Sequence, residues 1–273
     1  MTATAKVILA SQAPDGTRIT TMQLRYWRAI HAEFMTHRVF SRNASSSRAI
    51  PVKKMLAQVW NEPAGPIHWG SNQPGMQARE QLTGWRLEGA KKAWKKAGRI
   101  MCVAAWLMMK FGGHKQWVNR LLEPWQYISV VVTATDWDNF WALRDHEDAQ
   151  PEIRELAQVM RKAYDEADVQ QLKYGGWHIP FDLDDETWAG NGTLSARLEH
   201  SVACCARTSY NNHDGTLTTT AQDLRLHNQL KDAEPPHMSP FEHQAKAMYG
   251  DRYANLRRFK SYRHFLEEGK MPE

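Results

Sequence analysis

Apolar and polar positions change period several times along these 273 residues, and each change marks an expected element. Lys6 to Leu9 is β-rich, Pro14-Asp15-Gly16 is a turn, and Arg18 to Met22 brings the chain back, which predicts a hairpin. Leu24, Trp27, Ile30 and Phe34 then recur at helical spacing and predict an amphipathic helix over 22–36. Residues 51–76 hold Pro51, Pro63, Pro66 and Pro74, so a loop is expected there with one short helix at 52–60. From Gln77 to Phe111 the pattern is helical. Its Lys91, Lys92, Lys95, Lys96 and Arg99 read as a solvated face, its stretch from Ile100 to Met109 as buried, and Gly112-Gly113 as a left-handed cap. A short helix over His114 to Leu122 ends at Pro124. Tyr127 to Thr133, centred on three valines, reads as a buried strand. Thr135 or Asp136 is the expected cap of a helix to about Glu147, and Asp148 with Pro151 starts another through Ala167. Residues 173–193, rich in Gly, Pro, Trp and Asp, form the best internal boundary. A segment over 194–210 and a loop over 211–215 follow, 221–230 reads as helical, and Leu256, Phe259, Tyr262 and Leu266 predict a basic amphipathic helix over 255–268.

Strands and helices are mixed, so the expected class is α/β. The length buries a full core, as one large domain or two intimately joined ones. A net charge of +5 and a pI near 9.1 suit an anionic small ligand without pointing to nucleic acid. No apolar run follows Met1-Thr2-Ala3-Thr4, and the run from Ile100 to Met109 is too short to span a bilayer. Three cysteines without a paired spacing fit a reducing compartment, so a cytoplasmic protein with no membrane partner is expected.

The richest polar stretch is Thr36 to Pro51, with three arginines, one histidine, one asparagine and four serines. A cationic loop of this kind suits a phosphorylated ligand, because guanidinium groups and hydroxyls both donate to phosphate oxygens. Its plain reading is a solvated basic loop. For metal, His237 and His243 flank Glu242, with Cys204, Cys205 and His213 upstream. Adjacent cysteines and a proline-interrupted histidine pair chelate poorly, so no metal site is expected. Cys204 and Cys205 sit in an apolar run and read as core thiols. Arg120 and Arg144 have plain readings as partners of Glu123 and Asp148.

Four segments together resemble the flavin-dependent thymidylate synthases (ThyX). His37-Arg38, Ser41, Asn43, Ser46 and Arg48 follow that family's signature loop. Asn139-Phe140, Leu143-Arg144, Ala149-Gln150 and Glu152-Ile153 resemble its C-terminal helix pair. Ala206-Arg207-Thr208-Ser209-Tyr210 and His237-x-Ser239-Pro240-Phe241-Glu242-His243 resemble two segments that in the family stand at the N-terminus. The order is permuted. The resemblance implies a single domain over 1–273, of antiparallel sheet with packed helices. In it 1–172 carries the signature loop and the C-terminal-type helices, and 194–273 the family's N-terminal motifs. It further implies that 194–249 fold back against residues 1–50.

The resemblance also implies roles. His37, Arg38, Asn139, Ser209, His237, Ser239 and Glu242 would contact FAD. Ser46, Ser47, Arg48 and Arg120 would hold a deoxyuridylate-type nucleotide. Arg144 would act on the pyrimidine ring as the catalytic arginine. The implied reaction is C5 methylation of dUMP to dTMP, with methylenetetrahydrofolate and NADPH as cosubstrates, in a homotetramer whose sites lie between subunits. Thr36, Ala44, Ala49 and Asp148 depart from the family pattern. They motivate an alternative, another C5-modified pyrimidine deoxynucleotide such as a hydroxymethyl product or a cytosine derivative. A non-catalytic nucleotide-binding protein is the third expectation.

Overall fold

The computed structural model describes residues 3–75, 77–188, 192–212 and 216–270. The elements in chain order begin with β1 (Thr4–Gln12), β2 (Arg18–Trp27), α1 (His31–Phe34), β3 (Ser41–Ala44), α2 (Val52–Asn61) and α3 (Gly84–Lys110). Then come α4 (Lys115–Val118), β4 (Tyr127–Ala134), α5 (Asp138–Arg144), α6 (Pro151–Glu166), β5 (Gln170–Gln171), β6 (Trp177–His178) and α7 (Asp185–Trp188). The chain ends with α8 (Leu194–Arg207), α9 (Thr220–Lys231), β7 (Ala245–Tyr253), β8 (Leu256–Ser261) and α10 (Tyr262–Glu267). Single 3-10 turns join β2 to α1, α4 to β4, and lead into β7 at Ser239–Glu242.

One sheet has the order β3-β4-β2-β1-β5, antiparallel except at β5, and the other has the order β6-β7-β8. The expected class, α/β with antiparallel sheet and packed helices, is the class found. β4 explains why three valines run together. Val130 and Val132 face the α5–α6 layer with Tyr26, Phe34, Phe140 and Leu156. Val131 faces the other way, against Phe181, Cys204 and Cys205. A strand covered on both faces needs apolar side chains at every position. Ile19, Ala245 and Phe259 pack between the sheets, and α8 lays Leu198 and Val202 on Phe241 and Tyr262. Among the described residues no helix is long and apolar enough to cross a membrane.

The expected helix over 22–36 is instead strand to Trp27 and a short helix at 31–34. β2 pairs residue for residue with β4, from Thr20↔Ala134 to Trp27↔Tyr127, and buries Met22, Leu24 and Tyr26 at a spacing of two. Tertiary pairing overrides the helical spacing of Leu24, Trp27 and Ile30. The C-terminal helix over 255–268 is likewise strand through Ser261, paired with β7, before the short α10. The long helix starts at Gly84, not Gln77, and Gly112 ends it at φ +84 as expected. Its last turns are only partly buried: Ile100, Val103, Trp106 and Leu107 are exposed, Cys102 and Ala105 are buried, and Met101, Met108 and Met109 pack half-buried against the core. The helix after β4 starts at Asp138 with no side-chain cap, and Gln150 rather than Asp148 precedes the Pro151 that opens α6. The loop after Phe34 is partly a strand, because β3 adds to the edge of β4.

Candidate functional site

The separated candidate segments meet on β3. The Asn43 amide donates to the carbonyls of Cys205 (2.7 Å) and Ala206 (3.2 Å) at the end of α8, and its Oδ1 accepts from Ser239 Oγ (3.1 Å). Gln23 on β2 donates to the Thr208 carbonyl at 2.5 Å. Residues 194–249 thus fold back on the first fifty, as the permuted order implied. Thr208 ends α8 at φ +59, a rare conformation for a β-branched residue, and so turns Ser209 off the helix. Strain of that sort collects at functional sites.

A cavity of about 480 Å³ opens beside this hub, lined by Thr36 to Phe40 and by Asp136, Asn139, Phe140, Leu143 and Arg144. It brings together His37, Arg38, Asn139 and Arg144. Arg144 Nε donates to His37 Nε2 at 2.9 Å, Nη1 to Glu33, and Nη2 to Thr36 Oγ1 at 3.3 Å. Burial, then Arg144 and Arg42, push His37 down to about 4, so it is neutral near pH 7. Arg38 is exposed and has no carboxylate partner among the described residues. The lining carboxylate Asp136 is held by Arg252 and Arg257 at 2.7 and 2.6 Å. Cations therefore dominate the rim.

A second cleft of about 360 Å³ lies over β2 and β4, lined by Arg25, Ser45, Lys54, Tyr127, Ser129, Arg207 and Ser209 among others, with no carboxylate in its lining. The turn carrying Ser46, Ser47 and Arg48 lies between two of its lining residues, Ser45 and Ile50. Ser46 and Arg48 are exposed, and Ser47 is buried with its carbonyl bonded by Asn119. Of the predicted residues, His37, Arg38, Asn139 and Arg144 line the first concavity and Ser209 the second, while Ser46, Ser47 and Arg48 line neither. Ser239 sits at the hub, while Glu242 lines a smaller pocket with Ser41, where Arg263 donates to it at 2.7 Å.

Arg120 and His237 stay apart as well. Arg120 lines neither concavity, is exposed, and faces Glu123 at 3.7 Å, the plain reading of that arginine. His237 is exposed, and only its backbone N–H is engaged, by the Leu230 carbonyl. Arg144 does not pair with Asp148, which meets Arg79 instead. The histidines weighed for metal diverge, since His243 is buried and bonds Thr133 at 2.9 Å, and His213 lies outside the described residues. Among the described residues no three His, Cys, Asp or Glu side chains are placed to hold a metal ion.

Sequence reasoning missed Glu33, which no spacing marks because its partner Arg144 is 111 residues away. It also missed a buried cluster behind the hub. His200 Nδ1 meets Asp223 Oδ2 at 2.6 Å, Arg207 donates to Asp223 Oδ1 at 2.6 Å, and Cys204 Sγ lies 3.5 Å from His200 Nε2. The helical spacing of His200, Cys204 and Arg207 was the available signal.

No family model and no curated protein matches this sequence. Among solved structures the chain is similar to the UMP/dUMP methylase PolB from Streptomyces cacaoi bound with 5-Br dUMP. That likeness has a TM-score of 0.50 and 14% identity, over 60% of this chain and 90% of that one. The same methylase bound with 5-Br UMP gives a TM-score of 0.49 and 13% identity, over 60% and 89%. At such identities the likeness is one of fold, and the α/β arrangement expected from the sequence is the fold the chain shares with that methylase.

Proposed function

We propose that the chain is a flavin- and folate-dependent enzyme that methylates C5 of a deoxyuridylate, turning dUMP into dTMP. The observation that carries this reading is the meeting of Asn43, Ser239 and the end of α8 on one short strand. Segments almost two hundred residues apart in sequence converge where the resemblance implied a shared site. The shared fold with a UMP/dUMP methylase supports the same reading.

FAD fits the residues present by its chemistry. Arg38 and Arg144 line the larger cavity, its one lining carboxylate, Asp136, is already paired with Arg252 and Arg257, and Asn139 adds an amide, a donor set suited to a diphosphate. When bound, the flavin would supply the hydride, with methylenetetrahydrofolate giving the one-carbon unit and NADPH the reducing equivalents. The protein's own part is electrostatic and orientational. Arg144 would stabilise the electron-rich pyrimidine, His37 would remain a neutral donor, and Ser46, Ser47 and Arg48 would hold the phosphate from the adjoining turn. A homotetramer belongs to this reading. The exposed apolar groove of α2 and α3, lined by Leu56, Trp60, Val103 and Trp106, supports burial against other subunits.

A visible flavin spectrum in the purified or FAD-reconstituted protein tests the reading. A colourless protein that takes up no FAD removes it and leaves a nucleotide-binding role. Arg144→Ala is expected to abolish turnover while FAD stays bound, and wild-type turnover in that variant takes the catalytic role from Arg144. A second reading, a different C5 product, is favoured by Thr36, whose hydroxyl is committed to Arg144 where the family has an arginine. The product mass from dUMP and from dCMP separates the two.

A further inference from the structure

A guanidinium carries five N–H donors and no acceptor. At Arg144 three of them are spoken for, by His37, Glu33 and Thr36. The contact with His37 fixes a tautomer. Because Arg144 Nε–H donates to Nε2, that nitrogen carries a lone pair, and the proton of the neutral ring sits on Nδ1. No described residue accepts from that Nδ1–H. The contact with Thr36 accounts for a departure in the sequence. Thr36 Oγ1 donates to the Glu33 carbonyl at 2.7 Å, leaving its lone pairs for Arg144. An arginine at this position has no lone pair to offer and would set two like charges face to face.

We propose that Glu33 is the positioning residue of this site: together with Thr36 it aims Arg144, and through Arg144 it holds His37 as the Nδ1–H tautomer. The cavity then meets its ligand with the two unused N–H groups of Arg144 and the His37 Nδ1–H, a set that matches an edge bearing carbonyl or anionic oxygens. The inference rests on the reading given above in which Arg144 meets the pyrimidine, but its geometry does not. Glu33 lies on α1, His37 and Thr36 just beyond it, and Arg144 at the end of α5, so one carboxylate ties two elements across the site. The charged groups around His37 are Arg144 from α5, Arg42 from β3, whose Nη1 donates to the His37 carbonyl at 2.9 Å, and Glu33 itself through Arg144.

The test is nitrogen-15 NMR of the imidazole in the full-length, ligand-free protein, beside binding of dUMP. The wild type is expected to show His37 protonated at Nδ1 and bare at Nε2. Glu33→Ala releases Arg144, and His37 shifts toward the Nε2–H form. Glu33→Gln keeps an acceptor oxygen and keeps the wild-type tautomer. Binding of dUMP weakens by about tenfold or more in Glu33→Ala, the usual cost of removing a group that orients a binding side chain, and by less in Glu33→Gln. A wild-type tautomer in Glu33→Ala overturns the proposal. If that variant does not fold, Glu33→Leu removes the same acceptor while keeping side-chain volume, and an unchanged His37 there overturns it equally. A tautomer shift in a protein that binds neither dUMP nor FAD upholds the positioning role and removes the functional reading instead.

Discussion

Two clusters in this protein each combine a carboxylate, an arginine and a histidine, and they reach opposite charge states. At the cavity, Arg144 stands between Glu33 and His37. Behind the hub, Asp223 stands between Arg207 and His200. With arginine in the middle, burial and then the cation next door keep the imidazole neutral, down to about 4. With the carboxylate in the middle, burial would also depress His200. The Asp223 hydrogen bond and the contact with Cys204 more than offset it, and His200 rises to about 9. The order of the three groups sets the protonation. The first cluster borders open space and leaves donors unused, as a binding site needs. The second is buried, with His200, Asp223 and Arg207 all less than a tenth exposed although Arg207 borders the second cleft, and it pins α9 to α8.

The comparison breaks most directly at Asp223. Asp223→Ala leaves Arg207 and a charged His200 buried without their common partner, and about 3–5 kcal/mol of stability is expected to go, read by chemical denaturation. Glu33→Ala, at the open cluster, is expected to cost about 1 kcal/mol or less, because water can reach the released arginine. Equal losses in the two variants would mean that both clusters are structural.

Acid and base should separate the clusters as well. His200 has a folded pKa of about 9, above its ordinary value, so its contribution is fully present below about pH 6.5 and is lost as pH rises through 9. A shift of this size in a buried ring corresponds to about 3 kcal/mol. His37 works on the other limb. Its folded pKa of about 4 is depressed, so stability falls as pH drops from about 6.5 toward 4, where the unfolded chain binds a proton that the folded one refuses. Tm measured across pH in His200→Gln and His37→Gln checks both limbs. His200→Gln should flatten the alkaline limb and leave the acid one, and His37→Gln should remove only its share of the acid limb, because burial depresses His31, His178 and His243 in the same direction.

These clusters show what the sequence could and could not convey. The strand of three valines, the Pro14-Asp15-Gly16 hairpin and the Gly112 cap were legible because short-range chemistry decides them. The segment from Leu24 to Phe34 was misread because β2 is decided by its partner β4, a hundred residues or more further on. The burial of Ile100 to Met109 was misread for a related reason. Apolar composition says that a surface avoids water, not which chain covers it. Of the site, His37, Arg38, Asn139 and Arg144 could be gathered through the resemblance, and the structure brings them to one cavity. Glu33 could not, since an isolated glutamate on a short helix carries no pattern. Asp223 was hidden for the same reason, as the partner of two residues one helix away.

The smallest expected effect concerns Arg120. It shares the resemblance with Arg144 but not its surroundings. Its guanidinium is mostly exposed and faces Glu123 at 3.7 Å, and Glu123 is met more closely by Arg28 at 3.1 Å. An exposed pair of this length is worth about 0.5 kcal/mol or less, so Arg120→Ala should leave Tm almost unchanged. Its bearing on the site then depends on assembly. In an isolated chain Arg120 lines neither concavity, and the variant should bind dUMP as the wild type does. In a tetramer with sites between subunits, an exposed arginine on one chain can complete the phosphate site of another, and the variant should bind dUMP more weakly with its stability intact. Calorimetric titration of Arg120→Ala with dUMP, beside light scattering on the same sample, decides it. Weakened binding in an oligomer makes Arg120 part of a shared site, and unchanged binding returns it to the plain surface pair that the single chain displays.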